Sequence, residues 1–350
     1  MDKIDRFSRT AIDLVLGAGA VKAGIATTET LLGGPESTDL TYLMPEARSA
    51  VVFALPLDQA AIESFLKKED MAAANRDNHR VNTMAAGVSL ELSEYLNMKG
   101  FNSIPVIANA VYRKDVPGGA YSELPPLSHR YLAVRSGVGH FGLSGNVITR
   151  EHGAAVILGS VVTAAVLNPT EPLPPDDNYC DNCKLCIKGC ASGLMDDKNK
   201  TTVTIGGVEF SYAKRRAYTR CDYVCGGFTG LHSSGKWSTW SPARFPIPKN
   251  DDGFMDALMN AVEPYRKRPR QDFGCNIYHP LVPGNKLEFT CGHCQFICHP
   301  DKAVRARRYK MLKNSGVAIQ EKDGRIRGVT PEEAERHLAA MDDETRALYE

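Results

Sequence analysis

The 350-residue chain sets 42 Lys and Arg against 41 Asp and Glu, so its net charge supplies no global pull toward nucleic acid or an anionic membrane. Hydrophobic residues make up 43%, enough for a sizeable packed core and, at this length, for about two domains. No run approaches the ~18 apolar residues of a membrane span, and the N-terminal MDKIDRFSRTAIDLVLGAGA carries Asp2, Asp5 and Asp13 where a secretory leader would be apolar, so a cytoplasmic location is the expectation.

That N-terminal stretch reads as an amphipathic helix, and VKAGIA (Val21 to Ala26) as a strand before the loop LLGGPEST. Ala50 to Leu57 is a continuous apolar run suited to a buried strand. Helical periodicity follows over Asp58 to Asp70 and His79 to Met98, the second stretch ended by Gly100. NSIPVIAN is a further strand, Pro126 to Ser136 a helix, and Ala154 to Leu167 a strand or hairpin. Alternating strands and helices predict an α/β layer fold over residues 1–168. The Pro/Asp-rich NPTEPLPPDDNY then opens a cysteine-rich segment, residues 169–300, with a long polar insertion over 226–274. Residues 301–350 read as a helical extension: basic DKAVRARRYKMLK, then a last helix capped by Thr330 ahead of Pro331, Glu332 and Glu333.

All ten cysteines are confined to the second half of the chain. In a reducing compartment such a concentration reads as metal binding or redox chemistry. The first motif is C-x2-C-x2-C-x3-C, formed by Cys180, Cys183, Cys186 and Cys190; the second is C-x2-C-x3-C, formed by Cys291, Cys294 and Cys298, followed by His299 and Pro300. Bacterial ferredoxins carry almost the same first run, with proline where Ala191 stands. Three cysteines at two-residue spacing let one short loop wrap a 4Fe–4S cubane, while the fourth reaches a second cluster. Zinc is the rival, because C-x2-C pairs also build tetrahedral sites. Two cubanes need eight thiolates and the motifs supply seven, so the eighth comes from Cys221, Cys225 or Cys275. The spare cysteines then read as small buried hydrophobes. A pure electron carrier has no need of the α/β structure that precedes the clusters, and GAGAVKAG precedes a strand instead of following one, so it is no dinucleotide fingerprint.

The order of segments resembles the cobalamin-dependent epoxyqueuosine reductases and their relatives, the reductive dehalogenases. The resemblance runs from PEARSAVVFALPL through YSELPPLSHRYLAVRSGVGHFGLSGNVIT and GSVVT to CGHCQFICHP, over roughly residues 40–300. It implies a nitroreductase-like α/β domain holding base-off cobalamin, followed by a ferredoxin-like domain with two 4Fe–4S clusters. It also implies that Cys180, Cys183, Cys186 and Cys298 hold the cluster nearer the corrin. Cys190, Cys291, Cys294 and Cys221 would then hold the distal one, Cys221 following a basic helix-like stretch as the family's lone cysteine does. Where the family has Gly-Lys-Asn, this chain reads Gly142-Leu143-Ser144-Gly145-Asn146.

Glu123, in YSELPP, stands where epoxyqueuosine reductases place an acidic residue, and a carboxyl closed over an apolar corrin would have a raised pKa suited to proton donation. Tyr121 is the alternative donor, since reductive dehalogenases use a tyrosine. The glycine-rich turn with Gly139, His140, Gly142, Gly145 and Asn146 is the candidate cofactor-binding segment, because bare backbone lets a flat ring approach closely. The resemblance assigns His140 a hydrogen-bonding or structural role, the cobalamin needing no protein histidine. His293 and His299 interrupt the cluster motifs and would tune potential through hydrogen bonds. Trp237 and Trp240 either roof a pocket or pack the insertion, and YRKRPR (265–270) is either a solvated loop or a docking patch for an acidic donor such as a reduced ferredoxin or flavodoxin.

The leading expectation is therefore a cobalamin-dependent iron–sulfur reductase acting on a small molecule or a modified nucleoside. The alternative is an electron-transfer protein whose α/β domain binds a flavin or a partner. The absence of a helical-repeat extension after the clusters and the near-neutral charge add the expectation that transfer RNA is not a partner.

Overall fold

The computed structural model describes residues 3–107, 112–117, 123–270, 284, 286 and 288–350, and these form a mixed α/β chain in two compact units. The first unit comprises Met1–Leu57, Arg80–Cys183 and Lys200–Tyr212; the second comprises Asp58–His79, Lys184–Asn199 and Ala213–Glu350. No helix among the described residues is long and apolar enough to cross a membrane.

The first unit is built on a four-stranded sheet in the order β1-β2-β6-β3, from β1 (Lys22–Thr27), β2 (Ser49–Pro56), β3 (Ser103–Val106) and β6 (Val156–Thr163). Every neighbour pair in it is antiparallel. The central β2 explains the apolar run read in the sequence. Ala50, Val52 and Ala54 face a core that includes Leu132, Ala133 and Val134 of α4 (His129–Arg135), while Val51, Phe53 and Leu55 point to the other face and are buried as well. Phe53 lies opposite Gly159 in the register, and a Cβ on Gly159 would come within 2.4 Å of its ring, so the aromatic occupies the space that glycine leaves free. Helix α1 (Lys3–Gly17) packs on β1 and β2 with Ala11 and Val15 inward. Between α4 and β6 the short β4 (His140–Phe141) and β5 (Val147–Ile148) pair antiparallel around the glycine-rich turn.

The structure departs from the expected elements in identifiable ways. Helix α3 runs Met71–Met98, eight residues longer at its start than periodicity suggested, because Asp70 accepts a hydrogen bond from the Ala73 N–H and three alanines propagate the turn. Helix α4 starts only at His129, since Ser128, not the prolines before it, caps it by accepting from the Tyr131 N–H. The hairpin strands β7 (Met195–Ile205) and β8 (Val208–Arg215) were not foreseen; the charged middle of β7 is exposed, while Val203, Ile205, Phe210 and Tyr212 beside the turn pack on the core of the first unit.

In the second unit, α2 (Gln59–Leu66) is capped by Asp58, which accepts from the Ala60 and Ala61 N–H groups. It packs against α8 (His293–Phe296) and α9 (Lys302–Asn314). Buried Arg308 of α9 ties these helices by donating to the Phe296 carbonyl at 3.1 Å and to Gln59 Oε1 at 2.8 Å. The insertion has an apolar core of its own: Tyr223 of α6 (Thr219–Cys225), Phe228, and Phe254, Leu258, Ala261 and Tyr265 of α7 (Phe254–Lys267) cluster together. A last hairpin, β9 (Val317–Gln320) with β10 (Ile326–Val329), packs on α10 (Pro331–Ala339). Thr330 caps α10 by accepting from the Glu333 N–H at 3.2 Å, and Pro331 sits first in the helix, as read from the sequence.

Candidate functional site

Within the second unit, thiols from three separate segments are brought into electrostatic reach of one another. Cys190 follows the short helix α5 (Leu185–Lys188), Cys221 and Cys225 stand one turn apart on one face of α6, and Cys291 and Cys294 flank the start of α8. Burial pushes the Cys291 thiol well above its ordinary range, and the neighbouring Cys221, Cys190 and Cys294 push it further, against a backbone N–H from His293. The Cys221 thiol is raised by its hydrogen bond with Cys225, then by burial, then by the charges of Cys225 and Cys190. Thiols so arranged repel as anions unless a cation stands among them, and a metal coordinating them would hold them deprotonated. Among the described residues no three Cys, His, Asp or Glu side chains close on a single point as ligands of one ion. A cubane makes a different demand, because each thiolate binds a different iron. The donor set therefore fits an iron–sulfur cluster.

Two cations stand at this group. Arg215 donates to the Tyr218 hydroxyl at 3.0 Å, its pKa raised by Cys294 and Cys221 among others, while burial brings the Lys68 pKa down to about 7 against the pull of Cys291. Neither had a sequence signal, since an isolated basic residue far from the motifs looks like any surface residue. Gly292, between Cys291 and Cys294, has φ 151° and a Cβ there would strike the Phe296 ring at 2.9 Å, so the turn into α8 requires glycine. His293 is buried, with Nδ1 3.2 Å from the Gly189 carbonyl, and burial drives its pKa down to about 3. Cys225 is part of the same group, its sulfur 3.9 Å from the Cys291 carbonyl, and is not simply a small apolar filler. Cys275 lies outside the described residues.

The other expected ligands are Cys180 and Cys183, which belong to the first unit, and Cys186 and Cys298, which belong to the second; their grouping rests on spacing. In the first unit the glycine-rich turn is joined directly to the first cysteine. The Leu143 backbone N–H donates to Cys180 Sγ at 3.3 Å, the Asn178 side-chain amide donates to the Phe141 carbonyl at 3.2 Å, and the Cys180 N–H donates to Asn178 Oδ1 at 3.0 Å. Arg130 Nη1 holds the same turn through the Gly145 carbonyl at 2.7 Å. Gly139 and Gly142 spend their missing side chains on the hairpin itself, where a Cβ would come within 2.6 Å of the Ile148 carbonyl and 3.0 Å of its side chain. Gly145 has φ 74°, and the Asn146 carbonyl accepts from the Gly142 N–H. His140 Nε2 is buried with no hydrogen-bond partner among the described residues, and burial lowers its pKa against the pull of Asp177. That orphaned nitrogen is the feature of the turn that calls for a bound group.

Glu123 is half-buried and has φ 51°, a left-handed conformation uncommon outside glycine. Tyr121 lies outside the described residues. Trp237 and Trp240 are buried, Trp237 stacked on His232 at 4.2 Å and Trp240 donating from Nε1 to the Phe65 carbonyl at 2.9 Å; both pack the insertion. The basic run 265–270 is only partly solvated, for Tyr265 and Arg268 are buried and Arg268 donates to the Gly227 carbonyl at 3.1 Å.

No family model matches the chain. It is similar to an epoxyqueuosine reductase of Atelocyanobacterium thalassa, 28% identical over 175 residues, which is 49% of this chain and 50% of that protein. An epoxyqueuosine reductase of Synechocystis sp. is 26% identical over 162 residues, 45% of this chain and 50% of the relative. The chain thus spans about half the length of these curated relatives. A solved reductive dehalogenase, studied for a mechanism of B12-dependent dehalogenation, superposes with a TM-score of 0.50 at 13% identity over 74% of this chain and 35% of its own, a likeness of fold. The expected oxidoreductase agrees with the reductase name the curated relatives carry, and they support the family resemblance.

One expectation is corrected. The sequence argued against transfer RNA, yet the curated relatives are named epoxyqueuosine reductases, for a nucleoside that occurs in transfer RNA. Net charge misled because it sums the whole chain. Helix α9 exposes Lys302, Arg307, Lys310 and Lys313 and carries no acidic residue, while its Arg305 and Arg308 are buried.

Proposed function

We propose that the chain is an iron–sulfur reductase of the epoxyqueuosine reductase kind, acting on an epoxide-bearing modified nucleoside in tRNA. The observation that carries the reading is that Cys190, which closes the C-x2-C-x2-C-x3-C run, lies within electrostatic reach of Cys221 and Cys291, and Cys291 within reach of Cys294, all in the second unit. Cys180, Cys183, Cys186 and Cys298 would hold a second cluster, and His140, Gly145 and Asn146 would hold cobalamin, with Gly139 and Gly142 shaping the hairpin that presents them. When bound, these cofactors supply low-potential electrons to the substrate.

Reducing an epoxide to an alkene consumes two electrons and two protons and releases the oxygen as water. Glu123 is the residue we assign to proton delivery, its carboxyl giving a proton to the departing oxygen and the second proton coming from solvent. A left-handed, half-buried glutamate supports the assignment, because strained backbone persists where the surroundings fix it. Its companion Tyr121 is the candidate to orient that carboxyl or to replace it.

The test is anaerobic protein with dithionite, free cobalamin and an epoxyqueuosine-containing tRNA stem loop, followed by mass analysis of the nucleosides. Conversion to queuosine supports the reading. Protein that carries both clusters but binds no corrin and leaves the nucleoside intact returns the chain to the electron-carrier alternative.

A further inference from the structure

Glu123 leads into a stretch that is moored at two points to one short segment, Glu36–Tyr42, and every residue of this network belongs to the first unit. The Leu124 carbonyl accepts from the Arg113 N–H at 2.8 Å, and four residues on, the Ser128 N–H donates to the Ser37 carbonyl at 2.7 Å. The side chain of Arg113 carries the first mooring across. Its Nη1 donates to the Glu36 carbonyl at 3.2 Å, and the guanidinium lies 3.8 Å from the centre of the Tyr42 ring. Asp115 holds the fork in place, accepting from Nε at 3.0 Å and from Nη2 at 2.6 Å. Such a two-bond pair fixes the plane of a guanidinium as well as neutralising its charge, and here Arg113 is buried. The segment it reaches is itself anchored. Leu40 lies in the core of the first unit, and Asp39 caps the single turn Leu40–Tyr42 by accepting from the Thr41 N–H at 2.9 Å.

We infer that Arg113 is a positioning residue for proton delivery, bracing the backbone of Glu123 in the left-handed conformation from which its carboxyl meets the substrate. The inference rests on the assignment of Glu123 as the donor. A non-glycine residue at φ 51° stays there only while its surroundings hold it, and the carbonyl of the very next residue is the one that Arg113 holds. Released, the chain relaxes toward the broad extended or helical regions and carries the carboxyl away. A group misplaced by about 1 Å costs about 10²-fold in rate. Arg113 has no contact with substrate in this role, so its loss is felt in kcat and not in KM.

The experiment compares wild-type protein with R113M, E123Q and the double variant E123Q/R113M, each isolated anaerobically. Hydrogen–deuterium exchange is followed by mass spectrometry in peptides covering residues 112–117 and 124–132, a readout that needs no substrate. R113M is expected to exchange about tenfold faster there, the equivalent of one lost hydrogen bond. Turnover of an epoxyqueuosine-containing tRNA stem loop is then measured with dithionite and cobalamin. R113M is expected to lose about 10²-fold in kcat with KM unmoved, and E123Q/R113M to be no slower than E123Q, because the brace acts through that carboxyl. Should R113M fail to fold, the same measurements are made on R113K, which keeps the charge and loses the fork. Wild-type exchange or full kcat in the variant that folds overturns this inference alone, as does an equal further loss when the change is added to E123Q. Full activity in E123Q, or wild-type protein that leaves the nucleoside intact, overturns the reading of Glu123 and this inference together.

Discussion

The Leu143 backbone N–H donates to the Cys180 sulfur at 3.3 Å, so the glycine-rich turn of the first unit is hydrogen-bonded to the first cysteine of the ferredoxin-type run. Bonds of this kind spread charge off a thiolate and favour the more negative oxidation state of the group it holds. Leu143 is also the second residue of a four-residue turn closed by the Gly145 N–H donating to the Gly142 carbonyl at 2.8 Å. Proline is favoured at that position and lacks the N–H. Leu143→Pro should therefore preserve the turn and the iron content but move one cluster's midpoint potential to more negative values, read by EPR-monitored titration.

Cys221 and Cys225 share a helix face and compete for the role of eighth ligand. Cys221 interacts with both Cys190 and Cys291, whereas Cys225 meets the Cys291 carbonyl. Cys221→Ser should lose about four of about eight irons and one EPR signal. Cys225→Ser should keep both signals, and the reverse pattern would reassign the ligand.

His129 is held neutral by burial, which brings its pKa down to about 4, with Nδ1 2.7 Å from Ser160 Oγ. Above an unfolded pKa of about 6.5 the residue is neutral in both states and contributes no pH dependence. As pH falls toward 4 the unfolded chain takes up a proton that the folded chain refuses, so stability drops, by up to about 3 kcal/mol. Below 4 the loss is complete. Comparing urea midpoints across this window, His129→Gln should show a flatter profile than wild type. Parallel profiles would mean that His129 is not the group responsible.

Glu123→Gln should keep iron, sulfide and corrin binding while turnover of the modified tRNA stem loop falls by about 10²–10⁴-fold, the usual contribution of a positioned proton donor. Tyr121→Phe should cost less. Full activity in Glu123→Gln would move the proton to Tyr121 or to solvent.

What the sequence disclosed follows the strength of its local signals. The apolar run of β2, the capped start of α10 and the cysteine spacing each have a short-range physical cause, so each was readable. The antiparallel order of the sheet was not, because a fully buried strand looks the same in either direction once both faces are covered. The hairpin of β7 and β8 was within reach, since Val203, Ile205, Phe210 and Tyr212 alternate with polar residues about Gly206 and Gly207, whereas Lys68 and Arg215 were not, because a lone basic residue far from the motifs carries no local signal. The gathering of Cys225 with Cys221 was within reach, since four residues on a helix return to the same face.

The account stands most directly on the iron, acid-labile sulfide, zinc and corrin content of anaerobically purified protein. It predicts about eight iron and eight sulfide per chain, together with saturable uptake of cobalamin on reconstitution. Stoichiometric zinc without sulfide would contradict it.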